Sequence, residues 1–144
     1  MGSEERIIYF DTPGPQNTDE TIRAALERAK KLRVKYVVVA STTGETGLKV
    51  VEAFKDTGIK VVVVTHQYGF LKPGEIVLKS DLAEEIKKKG GTIVVGTDVF
   101  TMVPRAFRDK GGDPLDIVSA TLRMFCQGMK VCVEIVLMLS LIHI

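Results

Sequence analysis

Small hydroxyl residues and glycines follow the apolar run Tyr36–Ala40, in the segment Ser41–Gly47. Hydroxyls, glycines and the backbone N–H groups at a helix start are donors that hold a dianionic phosphate. Glu45 disfavours a polyphosphate unless its carboxylate points away, and no nucleoside triphosphate or dinucleotide signature is present. A phosphate site is therefore predicted, and its residues are Ser41, Thr42, Thr43, Gly44 and Thr46. The alternative is a helix start that Ser and Thr cap, with nothing bound.

A histidine lies just after the next apolar run, where Thr65, His66, Gln67 and Tyr68 follow Val61–Val64. These polar and aromatic side chains could hydrogen-bond to a flat ring or stack on it. No carboxylate is adjacent in sequence to orient the imidazole, and no nucleophilic Ser or Cys motif is evident. A hydrogen-bonded structural histidine is the alternative, and no catalytic residue is predicted.

A third polar segment follows the run Ile93–Val95 and contains Gly96 and Thr97, with Thr101 shortly beyond. Ligands of open α/β sheets bind outside the carboxyl ends of the strands, so all three segments are expected to face one crevice. Thr97 and Thr101 could line that crevice, but capping a helix is the simpler role for either residue alone.

Short β-branched runs alternate with helical patterns along the whole chain, which predicts βαβ units. The fold class is therefore α/β, with a doubly wound, mostly parallel sheet between two helical layers. The predicted elements are strands at Arg6–Phe10, Tyr36–Ala40, Val61–Val64 and Ile93–Val95, and helices after the N-cap Asn17, at about Gly47–Thr57, around Asp81–Lys89, and from Asp113 to about Leu137.

The composition is that of an ordinary globular domain, with 45% hydrophobic residues, 26% charged residues and a net charge of +2 over 144 residues. This balance lacks the basic excess of a nucleic-acid binder. Val131–Ile144 is apolar, but it carries Glu134 and is shorter than the roughly 20 residues that cross a bilayer. No membrane segment, signal peptide or metal site is predicted, and a cytoplasmic location is expected. Cys126 and Cys132 are predicted to be buried thiols in one helix, too far apart for a disulfide.

Three segments together resemble the stand-alone pyruvate kinase C-terminal-domain-like proteins of archaea and bacteria: Val37–Gly47, Val62–Phe70 and Leu122–Ile135. The resemblance extends from Tyr9 to Met138. It implies a three-layer α/β/α fold like the allosteric domain of pyruvate kinase, without the catalytic barrel of that enzyme. Pyruvate kinase activity is therefore not implied.

Flavin mononucleotide (FMN) binding is the second implication of this resemblance. The serine/threonine loop matches in position the loop that holds an effector's phosphate in pyruvate kinase. By this resemblance the phosphate contacts are Ser41, Thr42, Thr43, Gly44 and Thr46, and the isoalloxazine contacts are Thr65, His66, Gln67 and Gly96, with Thr97 in the same crevice. A module that senses a sugar phosphate and a ligand-free interaction domain are the alternatives. The expected partner is a small phosphorylated ligand, and a homo-oligomer is compatible with the sequence.

The last six residues, Leu139–Ile144, resemble the translation of a sequencing adapter and are interpreted as a scar. One domain over residues 1–138, incomplete at its C-terminus, is the corresponding prediction. A genuine apolar helix end is the alternative. Because the family continues beyond the position of Met138, an exposed sheet edge and a weakened ligand pocket are expected.

Overall fold

Three parallel strands form the sheet at the centre of this computed structural model, which describes residues 5–107 and 113–140. The strands are β1 (Tyr36–Ala40), β2 (Lys60–His66) and β3 (Thr92–Gly96), in that spatial order. Ala40 pairs with Val64 and His66 pairs with Gly96, so the carboxyl ends lie along one edge. The predicted α/β class and the positions of these three strands are confirmed.

Six helices accompany the sheet in the described part of the chain. They are α1 (Thr18–Leu32), α2 (Glu45–Ala53), α3 (Ser80–Lys88), α4 (Met102–Phe107), α5 (Pro114–Arg123) and α6 (Gln127–Ser140). None of these helices, as described, is long and apolar enough to cross a bilayer.

Alternate residues of β2 face the two sides of the sheet and separate the core into two clusters. Val61 and Val63 pack with α1, α2 and α3 in the first core cluster. Val62 and Val64 pack with α6 in the second core cluster, where Ile135 and Met138 are buried. This period of two is what a strand covered on both faces requires, and it produces the three-layer arrangement.

Two glycines bring α2 close to its neighbours. Gly44 precedes the helix with φ of 101°, a left-handed conformation that glycine adopts without steric cost. A Cβ on Gly47 would lie 2.6 Å from Cγ1 of Val63, so the helix rests directly on β2 at that point. The loop after β1 therefore has a fixed path into α2.

The predicted strand Arg6–Phe10 is wrong, because this segment has no regular secondary structure. Ile7 is 70% exposed and Tyr9 is 86% exposed. Glu5 forms ion pairs with Arg28 and Lys31 of α1, so the segment lies over that helix. A strand needs a neighbouring strand for its backbone hydrogen bonds, and a local apolar pattern does not supply one.

A single helix from Asp113 to about Leu137 is also wrong. The chain leaves the helix after Arg123 and starts α6 at Gln127. Asp113 does cap α5, since its carboxylate accepts a hydrogen bond from the N–H of Leu115 at 2.8 Å. The start was therefore readable from the sequence, whereas the interruption was not.

The two cysteines, Cys126 and Cys132, are free and exposed, which corrects the prediction of buried thiols. The helix break places the first of them in the turn before α6. Asn17 does precede α1, but its side chain does not cap the helix. Its amide nitrogen donates to the carbonyl of Thr12 at 2.7 Å instead, because a 3-10 turn leads into the helix.

The suspected scar lies only partly within the described residues. Helix α6 includes Leu139 and Ser140, and Leu139 packs against the second core cluster. Residues 141–144 lie outside the described part. The adapter interpretation and the domain boundary at Met138 stay predictions.

Candidate functional site

The loop between β1 and α2 is held by the hydroxyl of Ser41 and by Lys79, the residue just before α3. Ser41 is buried, and its hydroxyl accepts a hydrogen bond from the N–H of Gly47 at 3.1 Å. The carbonyl of Thr43 accepts one from the N–H of Lys79 at 3.1 Å. The ammonium of Lys79 also bonds to the Glu45 carboxylate at 2.7 Å, and this hydrogen bond raises the pKa of Lys79. Glu45 is thus engaged on the α3 side of the loop.

His66, the last residue of β2, is held on three sides. Its Nδ1 lies 2.7 Å from Oδ1 of Asp98, and its Nε2 lies 3.2 Å from Oγ1 of Thr42. Phe70 stacks on the imidazole, with 3.8 Å between ring centroids and 8° between planes. A carboxylate only accepts hydrogen bonds, so we assign the proton to Nδ1, and the hydroxyl of Thr42 then donates to Nε2.

Asp98 is the carboxylate that orients the histidine, 32 positions further along the chain. It is 3% exposed, and its Oδ2 has no hydrogen-bond partner among the described residues. Buried polar atoms are nearly always paired, so this oxygen is an unsatisfied acceptor at the site. Asp98 follows β3, whose carboxyl end lies beside that of β2.

Helix α6 contributes a buried ion pair between Lys130 and Glu134, one turn apart. The ammonium of Lys130 also donates to the hydroxyl of Thr101 at 3.1 Å. The other oxygen of Glu134 accepts from the N–H of Phe100 at 2.8 Å. Together these bonds tie α6 to the loop after β3.

Arg123, at the end of α5, is the other cation of the site. Its guanidinium donates to Gln127 at 2.9 Å and to the hydroxyl of Ser119. Among residues 5–107 and 113–140, no carboxylate lies within ion-pair distance of it. It can therefore pair with an anion that enters from solution.

These groups surround a cavity of about 440 Å³ at the carboxyl ends of the strands, which we call the strand-end cavity. The residues that line it are Ala40, Ser41, Thr42, Val64, Thr65, His66, Phe70, Asp98, Thr101, Arg123, Gln127, Lys130, Val131, Glu134, Ile135 and Met138. Its volume is within the range of pockets for small molecules, roughly 300–1,000 Å³. In the described part of the chain, no three His, Cys, Asp or Glu side chains are grouped as metal ligands would be.

Four of the residues predicted to bind a ligand line the strand-end cavity: Ser41, Thr42, Thr65 and His66. Six do not: Thr43, Gly44, Thr46, Gln67, Gly96 and Thr97. Thr46 lines a separate cavity of about 290 Å³ on the α1 side of β1. The side chains at the start of α2 thus diverge, although they are adjacent in sequence.

The sequence patterns did not predict Phe70, Asp98, Arg123, Lys130 or Glu134 as site residues. Asp98 could have been predicted from the sequence, because it lies in the third polar loop that follows a strand. On the single helix predicted from Asp113, spacings of four would also place Arg123 near Gln127 and Lys130 near Glu134. Nothing local indicates that these side chains turn toward the cavity.

The comparison with known protein families matches residues 19–134 to the pyruvate kinase alpha/beta domain. The matched part extends from α1 into α6 and contains all three strands, the loop after β1 and the His66–Asp98 pair. This chain therefore belongs to the pyruvate kinase alpha/beta domain family.

Proposed function

We propose that this protein binds a small phosphorylated ligand in the strand-end cavity, and that the ligand is FMN. The observation that carries the proposal is the meeting of three features in one cavity: loop hydroxyls, a cation that pairs with no carboxylate of the described residues, and a stacked aromatic pair. The family resemblance supplies the identity of the ligand, and no reaction is assigned to it.

The lining residues fit the parts of FMN. The hydroxyls of Ser41 and Thr42 and the guanidinium of Arg123 suit a phosphate dianion. Lys130 contributes less charge, because Glu134 neutralises it. The imidazole of His66 lies against the Phe70 ring on one side, and its side chain is 26% exposed, which leaves surface for a flat ring.

The test is a titration of the purified protein with FMN and with riboflavin, followed by the quenching of flavin fluorescence. Riboflavin lacks the phosphate, so we expect it to bind about 10–100-fold more weakly, the equivalent of roughly 1.5–3 kcal/mol for hydrogen bonds to a charged group. Equal affinity for the two flavins would contradict the proposal that the cavity binds the phosphate group. If neither flavin binds, the proposal that the ligand is FMN is wrong.

Thr42→Glu tests the location of the phosphate. A carboxylate at this lining position repels a dianion and fills its space, so we expect FMN binding to be abolished. The matched control is Thr92→Glu, an exposed position at the opposite end of the sheet, which should bind as the unaltered protein does. FMN binding that survives in Thr42→Glu would remove this loop as the phosphate site.

A regulatory module that senses a sugar phosphate is the second candidate. It is favoured by the many hydroxyl and amide groups of the lining, such as Ser41, Thr65, Thr101 and Gln127. Displacement of bound FMN by a sugar phosphate, or a rise in the melting temperature with the sugar phosphate and not with FMN, would favour it.

A further inference from the structure

We propose that Thr42, His66 and Asp98 form a catalytic triad, in which Thr42 is the nucleophile, His66 is the general base and Asp98 is the carboxylate that orients the base. The substrate is a small carboxylic ester that carries a negative charge, and Thr42 accepts its acyl group. This activity goes beyond ligand binding and needs no flavin. It rests on the geometry of three side chains from the ends of three adjacent strands.

The distances are those of an activated hydroxyl. Oγ1 of Thr42 lies 3.2 Å from Nε2 of His66, which is within the range of about 2.6–3.2 Å for a nucleophile and its base. Asp98 holds Nδ1 of the same ring at 2.7 Å. The carboxylate therefore fixes the tautomer in which Nε2 is free to accept the hydroxyl proton.

The surroundings of these three side chains also favour a catalytic triad. Asp98 is almost fully buried, whereas Thr42 is exposed at the cavity and open to a substrate. Phe70 stacks on the imidazole and prevents it from rotating. Buried carboxylate, held imidazole and accessible hydroxyl follow one another in the order that a triad requires.

The strand-end cavity also holds a donor for the charge of the substrate. Arg123 lines the same cavity and suits the charged part of the ester.

The reaction balances without a metal or a redox partner. The hydroxyl proton of Thr42 passes to Nε2 of His66 while Oγ1 bonds to the carbonyl carbon. The bond to the alcohol then breaks, and the alcohol leaves with that proton. Water adds to the acyl-threonine by the same route, which releases the acid and restores the hydroxyl.

The experiment is labelling of the folded protein with a fluorophosphonate, followed by peptide mass spectrometry. In this probe the hydroxyl oxygen bonds to phosphorus and fluoride leaves. We expect one phosphonate per chain, on Thr42, and the same product in Thr42→Ser. Thr42→Val should carry none, and Thr92→Val, which removes an exposed hydroxyl at the opposite end of the sheet, should label as the unaltered protein does.

His66→Asn and Asp98→Asn test whether the hydroxyl of Thr42 is activated by these two residues or reacts only because it is exposed. We expect the labelling rate to fall at least about 100-fold in His66→Asn, as for the loss of a general base, with circular dichroism confirming the fold. No adduct on Thr42 in the unaltered protein, or unchanged labelling in His66→Asn, would overturn the proposal. A smaller fall in Asp98→Asn would support it, and no fall would overturn it. Because the probe contains no flavin, failure of labelling and failure of FMN binding are separate results.

Discussion

At the scale of single residues, the site depends on charges that are buried with their partners. Lys130 and Glu134 are the clearest case, since their side chains are 3% and 5% exposed. A buried charge that loses its partner costs several kcal/mol, whereas the intact pair contributes little to stability by itself. The pair therefore fixes how α6 meets the loop after β3 more than it stabilises the fold.

Lys130→Met leaves the Glu134 carboxylate buried and without its cation. We expect the free energy of unfolding to fall by about 3–5 kcal/mol, measured by urea denaturation followed by circular dichroism. The double variant Lys130→Met/Glu134→Gln should recover much of this loss, because the amide oxygen can still accept from the N–H of Phe100. If the single and the double variant lose the same free energy of unfolding, the unpaired carboxylate of Glu134 is not the cause of the loss.

The control for this prediction is an exposed pair of the same type. Lys49 lies 2.7 Å from Asp19, but the two side chains are 50% and 79% exposed. Solvent screens such a pair, so Lys49→Met should change the free energy of unfolding by less than about 1 kcal/mol.

At the scale of elements, the path from β1 into α2 depends on how closely the helix lies on the sheet. Val63 is fully buried beneath Gly47, and the N–H of Gly47 donates a hydrogen bond to the hydroxyl of Ser41. A larger residue at this position must push the helix outward and move the loop with it. The element contact and the site geometry are therefore coupled.

Gly47→Ala places a methyl group 2.6 Å from Cγ1 of Val63 and 3.3 Å from Cβ of Ser41. We expect a loss of about 1–3 kcal/mol in the free energy of unfolding, as for overpacked cores. The matched control is Gly128→Ala in α6, where the nearest atom is Sγ of Cys126 at 3.6 Å. That change should be neutral or slightly stabilising, since alanine favours a helix. Similar losses at both positions would contradict the packing argument.

At the scale of the whole molecule, β2 connects the two helical layers through adjacent residues. Val63 is fully buried toward α1, α2 and α3, and Val64 is 2% exposed toward α6. The two core clusters share the strand itself, so their stabilities should not be independent. We therefore expect the described layers to unfold together.

Val63→Ala and Val64→Ala each remove two buried carbon atoms, so each should cost about 1.5–3 kcal/mol of the free energy of unfolding. Hydrogen exchange and urea denaturation should show one cooperative transition, shifted to a lower midpoint in both variants. Val136→Ala is the control, because Val136 is 59% exposed on α6 and should have little effect. A separate early transition confined to α5 and α6 would show that this layer unfolds by itself.

Much of the architecture could be read from local patterns. The strand Tyr36–Ala40 has the predicted bounds, and the other two confirmed strands differ by one or two residues at each end. Buried β-branched runs are strong signals because they need no distant partner to be recognised. The expectation that polar loops meet at one edge of the sheet followed from the parallel order alone.

The site itself could be predicted only in part, because its contacts join residues far apart in the chain. His66 meets Thr42 across 24 positions and Asp98 across 32. The hydroxyl loop was recognised by its composition, but its side chains diverge, and only Ser41 and Thr42 line the strand-end cavity. Composition indicates which groups are near one another, whereas the turn into α2 decides their directions.

The sequence alone was enough to predict the fold class, the three parallel strands and the edge at which the polar loops meet, because these depend on periodicity and chain order. The three-dimensional structure was needed to show that Arg6–Phe10 is not a strand and that the last predicted helix breaks after Arg123. The contact of Asp98 with His66 and the burial of Lys130 are likewise seen only in three dimensions. The physical reason is that pairing and burial are properties of neighbours in space, which a local pattern does not record.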